Sequence, residues 1–332
     1  MKNPLSKQSG LIILNRPLIV PEMEIVCPVI PRVAGRYRLR TYKAKTGKLV
    51  EDTGWFDNLI STIGLNRIGT AGSWTYTYVG AGSTAPNVVD TKMQTLIASS
   101  TVVAPTGNSA NVQYAVSPYY GYSLVNRRFN TGVATGTVAE VGIGWVANSI
   151  DGLYSRSLVL DSGGSPTTIV VLSDEVLDVA YEHRLYMPMT DVAGSLTISG
   201  TTYNTTTRVA QATSVGWSGQ YLIQYGIVGQ GAPSLTPWRG SLGPITGDPT
   251  GTSSTGAGGT WESYINNSKE RAFNVNFPLA AGNIASGFNI FKMHNDYASG
   301  YYQTLLDGYV LKDATKVMNI RAKVAWDRYT PP

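Results

Sequence analysis

The sequence predicts a mainly β protein: an antiparallel, jelly-roll-like β-sandwich with one or two short helices and an extended N-terminal arm. Three observations predict this fold. Short stretches of alternating polarity recur between turn residues after residue 100, as in antiparallel sheets. The 332 residues include 36 Gly and 20 Tyr but are only 14% charged, a composition that suits turns and half-buried strands. Four prolines between residues 17 and 31 exclude a helix or a central strand there.

Residues 1–34 are predicted to be the arm, and residues 35–332 the sandwich domain. The prolines keep the arm extended, yet it is strongly apolar. A free arm would leave that apolar surface in water, so we expect it to dock on a neighbouring subunit or to pack on its own domain. The predicted docking residues are Leu11, Ile12, Ile13, Leu14, Leu18, Ile19, Val20, Ile25 and Val26.

The segment Gly35–Lys48 is basic and carries no acidic residue. Tyr37 and Leu39 alternate with arginines along it, so we predict a strand with one apolar and one basic face, turning at Gly47. A nucleic-acid or membrane patch is one interpretation of this charge. We favour a solvated strand face or an acidic protein partner, because no recognition-helix pattern accompanies the segment. We therefore expect no nucleic-acid partner.

Two short helices are predicted before residue 100. The first lies in WFDNLISTIGLNRIG, with Asp57 or Asn58 as its cap and Gly64 at its end. The second lies in VVDTKMQTLIASS, with Asp90 as its cap and Met93 on its apolar side.

Two later segments give contrasting predictions. In VMNIRAKVAWDRY, apolar residues alternate with polar ones from Met318 to Trp326, so we predict a strand with one buried face. Residues 247–260, GDPTGTSSTGAGGT, are too polar to pack, and we predict a flexible loop there.

Composition argues against several classes of protein. Cys27 is the single cysteine, which excludes an internal disulfide and a cysteine-built zinc site, and two histidines are few for a metal site. We therefore expect no metal and no cofactor. No apolar run reaches the roughly 18 residues that a membrane-spanning helix needs. Charges and prolines interrupt the apolar N-terminus, unlike a secretory signal, so we expect synthesis in a cytoplasm.

Residues 138–186 hold the densest group of potential catalytic side chains. In DEVLDVAYEHRLY, His183 shares one strand face with apolar residues, whereas Asp178 and Glu182 lie on the other. We interpret His183 as a hydrogen-bonded core residue and the charged face as a surface row. A glycosidase needs two carboxyl groups across one site, but the adjacent acidic residues of Ser173–Glu175 would point to opposite faces. The stretch is predicted to be scaffold.

Aromatic loop residues are the remaining candidates for binding. Tyr and Trp rings stack on sugars and also anchor protein interfaces. We favour a subunit contact or a core edge over a ligand site for them. The candidates are Tyr119, Tyr120, Tyr122, Trp238, Arg239, Trp261, Tyr264, Tyr297, Tyr301 and Tyr302.

Two parts of the chain resemble a group of tailed-bacteriophage tail proteins, usually labelled tail fibre or minor tail proteins. The first part, residues 54–86, carries FDNLI…GLNRIG and the VG.G…P turn. The second, residues 135–186, carries AEVGIGW, an SR strand, a Pro-Thr-Thr turn and DE.LDV.YE.R.Y. Together they cover roughly a quarter of the chain. These motifs mark a fold, and no catalytic residue is attached to them.

The resemblance implies a non-enzymatic structural component of a virion tail: a tail fibre, collar or baseplate protein. It also implies a symmetric oligomer in contact with copies of itself and with other tail proteins. One alternative is a receptor-binding tail protein that recognises a host surface glycan or pilus through the aromatic loops. A capsid decoration protein and a depolymerase are less favoured, the latter because neither a β-helix repeat nor a convincing carboxylate pair is visible.

Overall fold

The structure is a computed structural model, in which 52% of the residues lie in strands and 7% are helical. It describes the backbone of residues 18–26 and all atoms of residues 31–330, apart from residues 71, 73, 199, 229–230, 232 and 296–299. The sheets are mainly antiparallel and have a sandwich-like arrangement, and the described residues include two short α-helices. The prediction of a mainly β antiparallel sandwich is confirmed.

The elements up to residue 187 are, in chain order, β1 (Leu18–Val26), β2 (Arg32–Lys43), β3 (Leu49–Asp52), β4 (Phe56–Asp57), β5 (Leu59–Ile60), α1 (Thr62–Ile68), β6 (Tyr76–Gly80), β7 (Leu96–Ser100), β8 (Ser109–Gln113), β9 (Tyr120–Phe129), β10 (Gly136–Val138), β11 (Glu140–Gly144), β12 (Leu153–Leu158), β13 (Ile169–Val171) and β14 (Glu175–Tyr186).

The later elements are β15 (Val192–Ile198), β16 (Thr201–Ala210), a 3-10 helix (Val215–Trp217), α2 (Gln220–Tyr225), a second 3-10 helix (Gly226–Val228), β17 (Ser234–Ser241), β18 (Thr250–Ser253), β19 (Ala257–Trp261), β20 (Glu270–Phe277), β21 (Phe288–Asn295), β22 (Gly300–Val310), β23 (Lys316–Ala325) and β24 (Asp327–Arg328).

Residues 31–187, together with β24, form what we call the sandwich region. A seven-stranded sheet has the order β24-β2-β14-β9-β8, with β3 and β4 also paired to β2. It faces a five-stranded sheet of order β5-β12-β11-β6-β7, and β10 pairs with β13 beside them. The Tyr37 hydroxyl on β2 lies 2.6 Å from Ser155 Oγ on β12, which ties the inner faces of the two sheets together.

Residues 192–325, together with β1, form what we call the curled region. Its ten-stranded sheet has the order β1-β23-β20-β19-β17-β21-β22-β16-β15, with β18 also paired to β17. The two ends of this path, β1 and β15, lie against each other, so the sheet curls back on itself. A single hydrophobic core continues through both regions.

The two ends of the chain join the regions. β1 precedes the sandwich region in the chain but pairs in parallel with β23 of the curled sheet. β24 follows the curled region in the chain but pairs in parallel with β2 of the seven-stranded sheet. The Trp326 indole donates to the Leu65 carbonyl at 2.8 Å. The Tyr329 ring stacks on Tyr186 with 3.7 Å between centroids.

The structure bears on two parts of the N-terminal prediction: the boundary of the arm, and the alternative that the arm packs on its own domain. The proposed boundary at residue 34 lies inside β2, which begins at Arg32. Residues 18–26 pair with the chain's own β23 at the edge of the curled sheet. Pro21 lies at a register shift in β1, which is where an edge strand accommodates a proline. Of the predicted docking residues, Leu11, Ile12, Ile13 and Leu14 lie outside the described residues, and only backbone is described for Leu18, Ile19, Val20, Ile25 and Val26.

The predicted caps of the first helix are wrong. α1 begins after Ser61, whose Oγ accepts from the Gly64 amide at 2.9 Å, and residues Leu59–Ile60 form a short strand instead. Gly64 lies inside the helix rather than at its end. A Cβ there would lie 2.3 Å from the Tyr154 carbonyl, so glycine allows the helix to approach β12 closely.

The predicted second helix is absent, and the predicted flexible loop contains strands. Residues 88–95 form turns and bends before β7. Residues 247–260 contribute β18 and the start of β19. In that hairpin Gly240 pairs with Gly251, and a Cβ on Gly240 would lie 1.9 Å from the Thr250 carbonyl. The glycines therefore serve close strand pairing rather than a loose loop.

Candidate functional site

A buried ion network lies at the centre of the motif-bearing segments. Glu140 at the start of β11 is completely buried and accepts from the amides of Gly82, Gln94 and Thr95 at 3.2, 3.2 and 2.7 Å. The guanidinium of Arg156 on β12 lies 3.5 Å from the same carboxylate. The carboxylate thus accepts hydrogen bonds from three loop amides. Because two of these amides belong to Gln94 and Thr95, they are not available for the hydrogen bonds of the predicted helix.

Arg156 extends this network to the turn that precedes β7. Its guanidinium donates to the Thr84 carbonyl at 2.6 Å and pairs with Asp90 at 3.3 Å. A Cβ on Gly80 or Gly82 would lie 2.5 Å from Glu140 Oε1, so both glycines make room for the carboxylate. The VG.G, AEVGIGW and SR motifs therefore meet in one structural cluster.

The charged face of β14 is buried, which corrects the predicted surface row. Asp178 and Glu182 are 4% and 6% exposed, because β2 and β9 flank β14 and their arginines cover its outer face. Arg128 holds Asp178 at 2.7 Å through two bonds. Glu182 accepts from Arg36 at 2.9 Å and from Arg184 at 2.8 Å. These cross-strand pairs bind three strands together rather than forming a catalytic dyad.

The basic segment is paired with carboxylates of its own chain. Besides the Arg36 contact, Arg38 pairs with Asp52 across the β2–β3 hairpin, and Lys43 pairs with Glu175 at 3.1 Å. The alternating burial of β2 agrees with the predicted apolar and basic faces. Much of this segment's positive charge is therefore neutralised within the sheet.

His183 lies in the core between the two sheets, as predicted. It is completely buried, its Nε2 lies 3.0 Å from the Tyr154 hydroxyl, and the Trp74 ring packs against it with 4.8 Å between centroids. Burial lowers the pKa of His183 to about 3, so the imidazole is neutral at neutral pH. Burial raises the pKa of Tyr154 well above its usual range. These rings lie among Trp74, Tyr181 and Tyr37, an arrangement that suits packing rather than proton transfer.

The aromatic candidates lie mainly in strands, not in exposed loops. Tyr120 and Tyr122 are in β9, Trp238 and Arg239 in β17, Trp261 in β19, and Tyr301 and Tyr302 in β22. Tyr301 and Tyr302 are buried, at 6% and 1% exposure. The other described candidates are half-buried, and Tyr119, Trp261 and Tyr264 pack against the core; Tyr297 lies outside the described residues. The predicted loop location is therefore wrong for most of these rings, and the favoured alternative of a core edge agrees with the packing of Tyr119, Trp261 and Tyr264.

A concave feature lined by polar side chains lies between the edge of the seven-stranded sheet and α2. Two adjoining cavities of about 300 and 500 Å³ share Trp74, Arg127, Ile223 and Gln224 in their walls. Ser109 on β8 also lines the smaller one. We call this feature the Trp74–Arg127 groove. Its volume falls in the range of small-molecule sites.

α2 forms one wall of the groove because the preceding turn packs tightly on β9. A Cβ on Gly121 would lie 1.7 Å from the Trp217 carbonyl, so this glycine lets the 3-10 helix cross the strand. Trp217 is completely buried, and its indole donates to the Ala210 carbonyl at 3.0 Å. This anchor presents Gln220 and Gln224 of α2 to the inner face of β9.

Two donors in the groove lack acceptors in the described part of the chain. Trp74 is 8% exposed, and its Nε1 is buried without a hydrogen-bond partner. Arg127 Nη1 is also buried without a partner, and burial lowers the pKa of the guanidinium. Neither Trp74 nor Arg127 was among the candidates predicted from the sequence. The sequence feature that points to Arg127 is the adjacent pair Arg127-Arg128 in a strand, because alternation places one arginine on each face of the sheet.

Comparisons with protein-family models, with curated proteins and with solved structures found no match to the chain. Within the described residues, no group of three or more His, Cys, Asp or Glu side chains is placed to hold a metal ion. The helices in the same part of the chain are too short or too polar to cross a membrane.

Proposed function

We propose that this protein is a non-enzymatic structural component of a bacteriophage tail: a tail fibre, collar or baseplate protein that assembles as a symmetric oligomer. The motifs in residues 54–86 and 135–186 that resemble tail proteins are the starting point of the proposal. It places the protein in the virion, in contact with its own copies and with neighbouring tail proteins.

The observation that carries the proposal is the role of the charged motif residues. Glu140, Arg156, Asp178 and Glu182 are buried and held in ion pairs, so the motifs specify a rigid framework. Removing one partner of such a pair is costly, because it leaves the other charge buried and unpaired. A particle component that must keep one shape under mechanical load benefits from such a framework.

Assembly can be tested at the N-terminus with all described strands retained. Since residues 18–26 pair with β23, the deletion keeps them and removes residues 1–17 only. We expect the truncated protein to keep its melting temperature but to be missing from particles when it replaces the full chain in an infected host. The measurement is its abundance in purified particles by quantitative immunoblot.

A matched substitution separates docking from a general loss of apolar surface. Leu11, Ile12, Ile13 and Leu14 are changed together to serine. In the control, four half-exposed apolar residues of the sandwich region, Leu49, Val50, Val102 and Val103, are changed to serine. Loss of incorporation in the first variant alone supports the proposal. Normal incorporation of the first variant and of the truncated protein would contradict it.

A further inference from the structure

Arg127 is an unusual residue for its place in the sheet. β9 pairs with β14 so that Arg127 is opposite Val179 and Arg128 is opposite Asp178. Alternation therefore places Arg128 on the outer face, where it meets Asp178, and Arg127 on the same face as the buried Val179. Two adjacent arginines thus have opposite environments, one paired with a carboxylate and one not.

The unpaired guanidinium has no anion within the described residues that could neutralise it. Neither cavity of the Trp74–Arg127 groove has an acidic side chain among its described lining residues. Partial burial of an unpaired charge is unfavourable, so such a group is normally paired. An anion that enters the open groove would supply the partner that the described residues do not.

The remaining wall of the groove indicates what accompanies that anion. Ser109, Ser123, Gln220 and Gln224 supply hydroxyl and amide groups, and Trp74 supplies an indole N–H without an acceptor. Hydroxyls and amides both donate and accept hydrogen bonds, so they suit a ligand that carries hydroxyl groups. A single guanidinium matches one carboxylate through two parallel hydrogen bonds.

We propose that the Trp74–Arg127 groove binds a small hydroxylated carboxylate, with Arg127 as the partner of the carboxylate and the hydroxyl and amide side chains as partners of the hydroxyl groups. Trp74, which lines both cavities, donates to the bound ligand through Nε1. This site is separate from the buried motif network, and the proposal does not depend on a role in a tail.

The test is titration calorimetry of the full chain with D-glucuronate, a hydroxylated carboxylate of sugar size. D-glucose, which lacks the carboxylate, is the matched neutral probe. We expect saturable binding of glucuronate and at least tenfold weaker binding of glucose, because a charge-assisted pair contributes that much. Glucuronate binding that is no tighter than glucose binding, or that is undetectable at millimolar concentration, overturns the proposal.

Variants then assign the binding to the groove. Arg127→Met should weaken glucuronate binding at least tenfold, whereas Arg32→Met, which removes the same charge at an exposed position of β2, should leave it unchanged. The Arg127→Met variant should melt at no lower temperature than the parent, because it removes an unpaired, partly buried charge and no ion pair within the described residues. Equal glucuronate affinity in the Arg127→Met variant and the parent overturns the proposal.

A spectroscopic readout detects the second donor independently. In protein labelled with ¹⁵N-tryptophan, saturating glucuronate should shift one indole resonance, and Trp74→Phe identifies it by its disappearance. A shift that persists in the Trp74→Phe variant, or no shift at saturation, overturns the part assigned to Trp74.

Discussion

The sandwich region and the curled region place their charges differently. In the sandwich region three acidic partners are buried: Glu140, Asp178 and Glu182 have side chains that are at most 8% exposed, whereas the side chain of Asp174 is 65% exposed. In the curled region the acidic partners are exposed, as in Arg321–Glu262 and Arg208–Asp191, where the acidic side chains are 31% and 41% exposed. The described polar interior of the curled region is built mainly from neutral groups, and Lys312, which is 2% exposed, is its buried charge.

Gln303 and the Thr207–Thr304 pair show how buried polar side chains of the curled region form hydrogen bonds. Gln303 is completely buried, and its amide accepts from the Gly243 amide at 2.8 Å and donates to nearby carbonyls. The Thr207 and Thr304 hydroxyls lie 2.9 Å apart between β16 and β22. The comparison shows that the charged sequence motifs of the sandwich region coincide with its buried ion pairs, because a buried charge requires a fixed set of partners.

The largest expected effect is the loss of a buried carboxylate. Glu140→Ala removes the acceptor of three amides and the partner of Arg156, so we expect unfolding to become easier by about 3–5 kcal/mol. Glu262→Ala, the matched change at a half-exposed pair of the curled region, should cost at most about 1 kcal/mol. Urea denaturation of both variants measures the difference, and equal costs would contradict the comparison.

The buried histidine gives a pH dependence that belongs to the sandwich region. The pKa of His183 is about 3 in the folded protein, below its ordinary value near 6.5. As the pH falls below about 6.5, the unfolded chain binds a proton that the folded protein does not. His183 therefore lowers the free energy of unfolding by up to about 1.4 kcal/mol per pH unit, until about pH 3.

Denaturation at pH 7, 6 and 5 checks this slope against the His183→Gln variant, which cannot titrate. The parent should lose more stability than the variant over this interval, by about 2 kcal/mol. Parallel losses in the two proteins would show that His183 is not the titrating group.

A glycine substitution tests the contact through which the 3-10 helix of the groove wall crosses β9. Gly121→Ala introduces a Cβ 1.7 Å from the Trp217 carbonyl, and relief of that overlap should cost about 1–3 kcal/mol. Gly258→Ala on β19 is the control, because no atom lies within 4 Å of its Cβ. Calorimetric melting of both variants measures the effect. An unchanged melting temperature for Gly121→Ala would mean that the strand and the 3-10 helix are farther apart.

The smallest effect concerns the neutral pair of the curled region. Thr207→Val leaves the buried Thr304 hydroxyl without its partner and should cost about 1–2 kcal/mol. The double variant with Thr304→Val removes both polar groups and should cost less than the single one. A double variant that is less stable than either single variant would contradict this expectation. It would show that the hydrogen bond between the two hydroxyls adds more to the free energy of unfolding than burial of the hydroxyls removes.

Local alternation predicted the strands well and predicted the long-range contacts poorly. The buried faces of β2 and β23, and the position of His183 in the core, follow directly from residues spaced by two. The helix expected at residues 88–100 failed because the distant Glu140 carboxylate captures the amides of Gln94 and Thr95. The flexible loop expected at residues 247–260 failed because its glycines permit close pairing with β17.

The candidate groove could not be predicted, for the same reason. Trp74, Arg127 and Gln224 are far apart in the chain, and only the packing of α2 on β9 brings them together. Alternation in β9 could have placed Arg127 and Arg128 on opposite faces. It could not have shown which of them faces a carboxylate, because that depends on the register between β9 and β14.

The most direct test of the proposed function is immunogold electron microscopy of intact phage particles with antibody against this chain. A structural tail component predicts gold at one fixed position along the tail, at a constant number per particle. Gold confined to the capsid, or particles without label although the chain is produced in the infected cell, would contradict the account.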